Sequence, residues 1–182
     1  MKKKLMVDMD DVIVNGGLLY IINDFLGTNY TEDYFKSFYM QDIVEDKEAF
    51  FKFFLTKNMY DYCKLSENAY EVLEYLNEKY DLFIGTSYIF KEIPKESGKI
   101  LLDKFNYLQD KLPFISPYKY IFLGDKSVLD FEVKIDDKEE NLEGAEKKIL
   151  FTAYHNKNIS DEELKTKAIE RALNWLDVKK LL

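Results

Sequence analysis

Three aspartates, Asp8, Asp10 and Asp11, fall within four positions at the end of the apolar run "LMV". Like charges this close raise one another's pKa, and burying a carboxylate costs more still. Such a cluster persists where a cation sits in it or where the carboxylates react. Farther along, other groups suited to phosphate chemistry recur at the ends of short apolar runs. Thr86 and Ser87 stand in "GTSY", Lys126 in "GDKS", and Asp136 and Asp137 in "IDD". Asp8 and Asp10, two apart at a strand end, can point the same way. With Asp136 and Asp137 they supply the hard oxygen ligands that Mg²⁺ prefers, leaving positions for water and a phosphate. Hydroxyls of Thr86 or Ser87 and backbone N–H groups can hold phosphate oxygens. Lys126 offsets the charge of carboxylates and phosphate together. An aspartate so placed can attack phosphorus to give an aspartyl-phosphate, while metal and lysine stabilise the transferring charge.

These residues need a scaffold that brings several strand ends to one rim. Short apolar runs at Lys4–Val7, Leu82–Gly85, Tyr120–Gly124, Glu132–Ile135 and Ile149–Ala153 are bounded by charged or turn residues, as buried parallel strands are. Helical patterns lie between them. Ala69, Val72, Leu73, Leu76 and Tyr80 follow a Ser66 cap, and Leu101, Phe105, Leu108 and Leu112 precede Pro113. Ser160 with Glu163 forms a capping box, whose apolar face continues through Leu164, Ala168, Ala172 and Leu176. This alternation predicts an α/β fold with an open, mostly parallel sheet, and ligands of such sheets bind beyond the carboxyl ends of the strands. From Val14 to about Leu65 the sequence carries helical, aromatic-rich patterns and no strand signal. A strand-to-helix connection normally takes only a few residues. Residues 15–65 are therefore expected to form a small helical cap over a core of residues 1–14 and 66–182.

Composition bounds the partners. Lysine and arginine number 26 against 34 aspartate and glutamate, a net charge of −8. That balance argues against non-specific grip on a nucleic acid polymer. With Cys63 as the only cysteine, no intramolecular disulfide framework is available, which fits a reducing cytoplasm. The apolar run after "MKKK" is broken at Asp8, unlike a secretion signal, and no stretch has the length of a membrane span. A cytoplasmic protein with no membrane partner is expected.

"DMDDV", "TS", "DK" and "IDD", in this order and on these strands, resemble the four motifs of the haloacid dehalogenase-like phosphatases over nearly the whole chain. "DKSV…IDD", the helical insertion and "FTAYHN" at residues 151–156 resemble the 5′(3′)-deoxyribonucleotidases within that superfamily. The resemblance implies a Rossmann-like parallel sheet with helices on both faces and a cap after the first strand. It implies Asp8 as nucleophile, Asp10 as general acid and base, Thr86 as phosphate ligand, and Lys126 as the charge-balancing lysine. Asp137, with or without Asp136, joins the metal ligands, and a deoxyribonucleoside monophosphate is the implied substrate. Three positions depart from the pattern. Asp11 stands where glycine is common, Tyr88 where proline is common, and Lys138 where an arginine serves the substrate.

Simpler readings compete at several residues. Residues 16–65 are rich in aromatics, most of which an insertion of this size needs for its own packing. A nucleobase also binds well against an aromatic face, so Tyr20, Phe35, Phe38 and Phe50 are candidates to line the cleft. Asp11 is expected to be exposed, His155 to lie in a surface loop, and Cys63 to be inert. Two other functions remain open: the same chemistry on another small phosphate such as a sugar phosphate, and a non-enzymatic phospho-switch of the receiver type. The second leaves the long insertion and Asp10 without a purpose.

Overall fold

A computed structural model describes residues 2–87 and 89–182; Tyr88 lies outside them. Six strands form one parallel sheet: β1 (Lys4–Val7), β4 (Asp81–Thr86), β5 (Tyr120–Phe122), β6 (Phe131–Asp136), β7 (Ala145–Phe151) and β8 (Ile169–Ala172). Their spatial order is β5-β4-β1-β6-β7-β8. β1 sits between its parallel neighbours, with Leu5 beside Leu82 and Val133 and Val7 beside Ile84 and Ile135. The chain moves one way from β1 through β4 to β5 and the other way from β6 through β7 to β8. The carboxyl end of β1 is thus the topological switch point, where a crevice opens.

Alternation along the strands sorts residues to two faces. Leu5, Val7, Ile149 and Phe151 join the main core, together with α3 (Ala69–Lys79), α4 (Ser97–Lys111) and α6 (Trp175–Leu181). Leu150 points the other way, to a small cluster with Leu142, Ile169 and Leu164 of α5 (Asp161–Thr166). Both faces of the sheet are covered. The segment after β1 holds α1 (Gly17–Leu26), α2 (Lys47–Phe54) and three 3₁₀ turns, at Glu32–Tyr34, Met40–Ile43 and Met59–Tyr62. Short strands β2 (Val14–Asn15) and β3 (Lys64–Leu65) pair antiparallel and close its two ends. Its Phe50, Phe51 and Phe54 belong to the same apolar cluster as the sheet. α1 enters close to the Met59–Tyr62 turn, because a side chain on Gly17 would meet the Met59 carbonyl at 2.6 Å. No helix among the described residues is long and apolar enough to cross a membrane.

The structure corrects three sequence expectations. The apolar face running from Leu164 to Leu176 is not one helix. α5 ends at Thr166, Ala168 turns left-handed at φ 55°, and Ile169–Ala172 pairs with β7 before Asn174 caps α6. Ser160 does cap α5, accepting from the Glu163 N–H. The N-cap of α3 is Asn68, while the Ser66 hydroxyl donates to the Val12 carbonyl at 2.8 Å. The buried face of α4 comprises Ser97, Ile100, Lys104, Tyr107 and Leu108, so Leu101 and Phe105 lie to one side of it.

Candidate active site

The loop after β1 folds back tightly on itself. Met9 O accepts from the N–H groups of Ile13 and Val14, and the Asp11 N–H donates to Val14 O. This turn puts Asp11 at φ 58°, a left-handed conformation that favours glycine and that aspartate tolerates better than most residues. Ser66 and the indole N–H of Trp175 both donate to Val12 O and hold the turn from behind. Asp8 stays in register because its N–H donates to Ile135 O of β6 at 2.9 Å.

Two buried lysines divide the carboxylates into two sets. Lys126, in the 3₁₀ turn Lys126–Val128, reaches Asp8 and Asp136, each at 2.5 Å. Asp136 also accepts from the Lys138 N–H and from the Asn141 side chain. Lys104, fully buried on α4, donates to Asp10 at 2.5 Å, to the Thr86 hydroxyl and to Ser87 O. The Tyr60 hydroxyl, from the inserted segment, donates to the other oxygen of Asp10 at 2.9 Å. Asp8 and Asp10, two residues apart, thus have different partners and different surroundings.

The electrostatics show more negative charge than the lysines balance. Burial pushes Asp8 up to about 6; Lys126 partly offsets this, while Asp136 and Asp10 add to it. Asp136 is likewise pushed up to about 6 by burial, against Lys126 and with Asp137. Burial raises Asp137 as well, opposed by its bond to His155. Asp11 rises well above the carboxylate range through burial and the nearby Asp137 and Asp10. Burial works against the charge on Lys126, but Asp8 and Asp136 prevail and hold the ammonium above its ordinary range. Ligand oxygens of Asp8, Asp136 and Asp137 lie within 4.8 Å of one another. Hard oxygen donors with uncompensated charge fit a divalent cation. The Asp10 carboxylate, engaged by Lys104 and Tyr60, is not in that set.

These groups open into one cleft of about 240 Å³ between the sheet edge and the inserted segment. Asp8, Asp10, Asp11, Lys126, Asp137 and Ser87 are among the residues that line it. Thr86 is fully buried behind them, with Lys104 on its hydroxyl. Of the four aromatic candidates, Phe38 lines the cleft. Phe35 and Phe50 are buried in the core, and Tyr20 is on the surface, stacked on Tyr62 at 4.0 Å. Two other expectations are corrected. Asp11 is half-buried at the cleft, and the His155 imidazole is packed inward with Nε2 2.7 Å from Asp137. The neighbouring Asn156 amide donates to the carbonyls of Asp137 and Phe151 and fixes that loop against the site. Burial pushes the Cys63 thiol up to about 12, which leaves it protonated and unreactive at neutral pH.

Sequence reading missed Lys104 and Tyr60. Lys104 was legible as a lone cation in the apolar stripe Ile100, Tyr107, Leu108, once the correct face of the helix is taken. Tyr60 carried no signal, because its bond to Asp10 spans 50 positions.

A family model described as "5′ nucleotidase, deoxy (Pyrimidine), cytosolic type C protein" matches residues 2–182. A Staphylococcus epidermidis protein is 27% identical over 98% of this chain and 94% of its own. The 5′(3′)-deoxyribonucleotidase of Bacillus subtilis is 25% identical over 100% of this chain and 99% of its own. A haloacid dehalogenase-like family protein of Streptococcus pneumoniae has the same fold. Its TM-score is 0.50 at 14% identity, covering 99% of this chain and 98% of that one. With its carboxylates and lysines gathered at the switch point of this sheet, the chain belongs to the cytosolic type C 5′ deoxynucleotidase family of phosphomonoester hydrolases.

Proposed function

We propose that the protein is a Mg²⁺-dependent 5′(3′)-deoxyribonucleotidase acting on deoxyribonucleoside monophosphates in the cytoplasm through an aspartyl-phosphate. The observation that carries this reading is the separation of the two aspartates. Asp8 is paired with Lys126 beside Asp136, and Asp10 is held by Lys104 and Tyr60. These different surroundings support a reading in which Asp8 attacks and Asp10 moves protons. Asp8, Asp136 and Asp137 would hold the ion, which when bound supplies positive charge against the phosphoryl oxygens. The Asp8 oxygen bonds to phosphorus as the P–O ester bond breaks, and Asp10 gives its proton to the leaving ribose oxygen. Asp10 then takes a proton from a water whose oxygen attacks the aspartyl-phosphate. Inorganic phosphate leaves and the Asp8 carboxylate is restored. Lys126 holds Asp8 in place and offsets the charge of the entering phosphate. Ser87 lines the phosphate end. The inserted segment acts as a cap that carries Tyr60 and Phe38 and excludes bulk water.

Phosphate release from a panel of deoxyribonucleotides, ribonucleotides and sugar phosphates, with Mg²⁺ and with chelator, tests the reading. Release from deoxyribonucleoside monophosphates in Mg²⁺ and none in chelator is expected. Preference for sugar phosphates over nucleotides would replace the substrate assignment, and full turnover in chelator would remove the metal.

A further inference from the structure

Besides the carboxylates, the cleft is lined by apolar side chains, Leu18, Phe38, Tyr39, Ile89 and Phe90 among them. Gln41, in the 3₁₀ turn Met40–Ile43, lines the cleft and is only 6% exposed. Its main-chain carbonyl accepts from Lys47 and from the Val44 N–H. Its carboxamide has no hydrogen-bond partner among the described residues, yet none of its polar atoms is sealed from solvent without one. An amide that meets solvent in the cleft keeps its donors and acceptor available to whatever enters there.

We infer that the Gln41 carboxamide reads the hydrogen-bonding edge of the substrate's nucleobase, an inference that rests on the nucleotidase reading above. A nucleotide whose phosphate sits among Asp8, Ser87 and Lys126 occupies the cleft that Gln41 also lines. The carboxamide offers one acceptor and a donor side by side. That pair matches the adjacent donor and acceptor on a base edge, as carboxamides match adenine in nucleic acid readout. Phe38 supplies an apolar ring to the same cleft, and the Lys138 ammonium lies over that ring, 4.4 Å from its centroid.

The test compares the wild type with Gln41→Leu and Gln41→Glu on dUMP, dTMP, dCMP, dAMP, dGMP and p-nitrophenyl phosphate in Mg²⁺. Gln41→Leu is expected to lower kcat/KM for nucleotides relative to p-nitrophenyl phosphate by about tenfold. Glutamate only accepts when ionised, so Gln41→Glu is expected to raise the dCMP-to-dUMP ratio by about tenfold. It favours the amino group of cytosine over the carbonyl of uracil. Unchanged ratios in both variants, with the wild type still active on nucleotides, would overturn the role of Gln41 and leave the nucleotidase reading standing. A wild type that hydrolyses p-nitrophenyl phosphate and no nucleotide would overturn both.

Discussion

Lys104 has a side chain sealed from solvent, and its charge is matched by Asp10 on one side and the Thr86 hydroxyl on the other. Replacing a buried ion-pair partner leaves the other charge uncompensated, at a cost of about 3 kcal/mol. Lys104→Met is therefore expected to lower stability by about that amount in urea titration. Its kcat should fall about 10²-fold, because Asp10 is no longer aimed for proton transfer; a kcat within twofold of wild type would show that Asp10 needs no such support. Asp11 offers the opposite case. It occupies a left-handed turn at φ 58°, and its carboxyl is desolvated beside Asp137. Asp11→Gly should relieve both and stabilise the fold by about 1 kcal/mol; a lower melting temperature would contradict this. The type and order of Asp8, Asp10, Thr86, Lys126, Asp136 and Asp137 were legible because strand ends bring them together by rule. Lys104 becomes legible only when the buried face of α4 is taken correctly, and Tyr60 and His155 only when the packing of the inserted segment and of the loop after β7 is known.

At the scale of elements, the central strands were readable because each is a short apolar run with charged flanks. β8 was not. Its four residues, Ile169–Ala172, include Glu170 and Arg171, and only pairing with β7 makes them a strand. Charged residues on a short outer strand also discourage pairing with other chains. The four-residue spacing of Leu164, Ala168, Ala172 and Leu176 imitates a helix face, but the left-handed Ala168 breaks it. Alanine pays for that conformation where glycine does not, so Ala168→Gly is expected to stabilise the protein by about 0.5–1 kcal/mol. Thermal unfolding measures it, and a destabilised variant would mean that a helix crosses residue 168 in solution. The inserted helical segment was legible from connection length, whereas which of its aromatics reach the cleft depends on how α1 and α2 pack. Of the four named from sequence, only Phe38 lies on the Phe38–Gln41 stretch that lines the cleft.

For the whole molecule, the carboxylate cluster links stability to pH and to cations. Asp8 and Asp136 stand at about 6 in the native state against an ordinary value of 3.8. Between these values the native state binds more protons than the unfolded chain, so stability falls as pH rises through the window. The penalty is full above about pH 6 and is relieved as pH falls toward 3.8. A cation bound by the same carboxylates removes it. Mg²⁺ should therefore raise the melting temperature more at about pH 7.5 than at about pH 5, and equal rises would place the ion elsewhere. The central claim is that Asp8 attacks and Asp10 moves protons, and the most direct measurement of it is the intact-protein mass after acid quench. A good leaving group such as p-nitrophenolate needs little acid assistance, whereas attack by water needs the base. Asp10→Asn mixed with p-nitrophenyl phosphate and Mg²⁺ is expected to show a burst of nitrophenol and a phosphoryl adduct within seconds, with turnover lowered about 10²–10⁴-fold. Asp8→Asn should show neither burst nor adduct. An adduct in Asp8→Asn, or near-wild-type turnover in Asp10→Asn, would contradict the account.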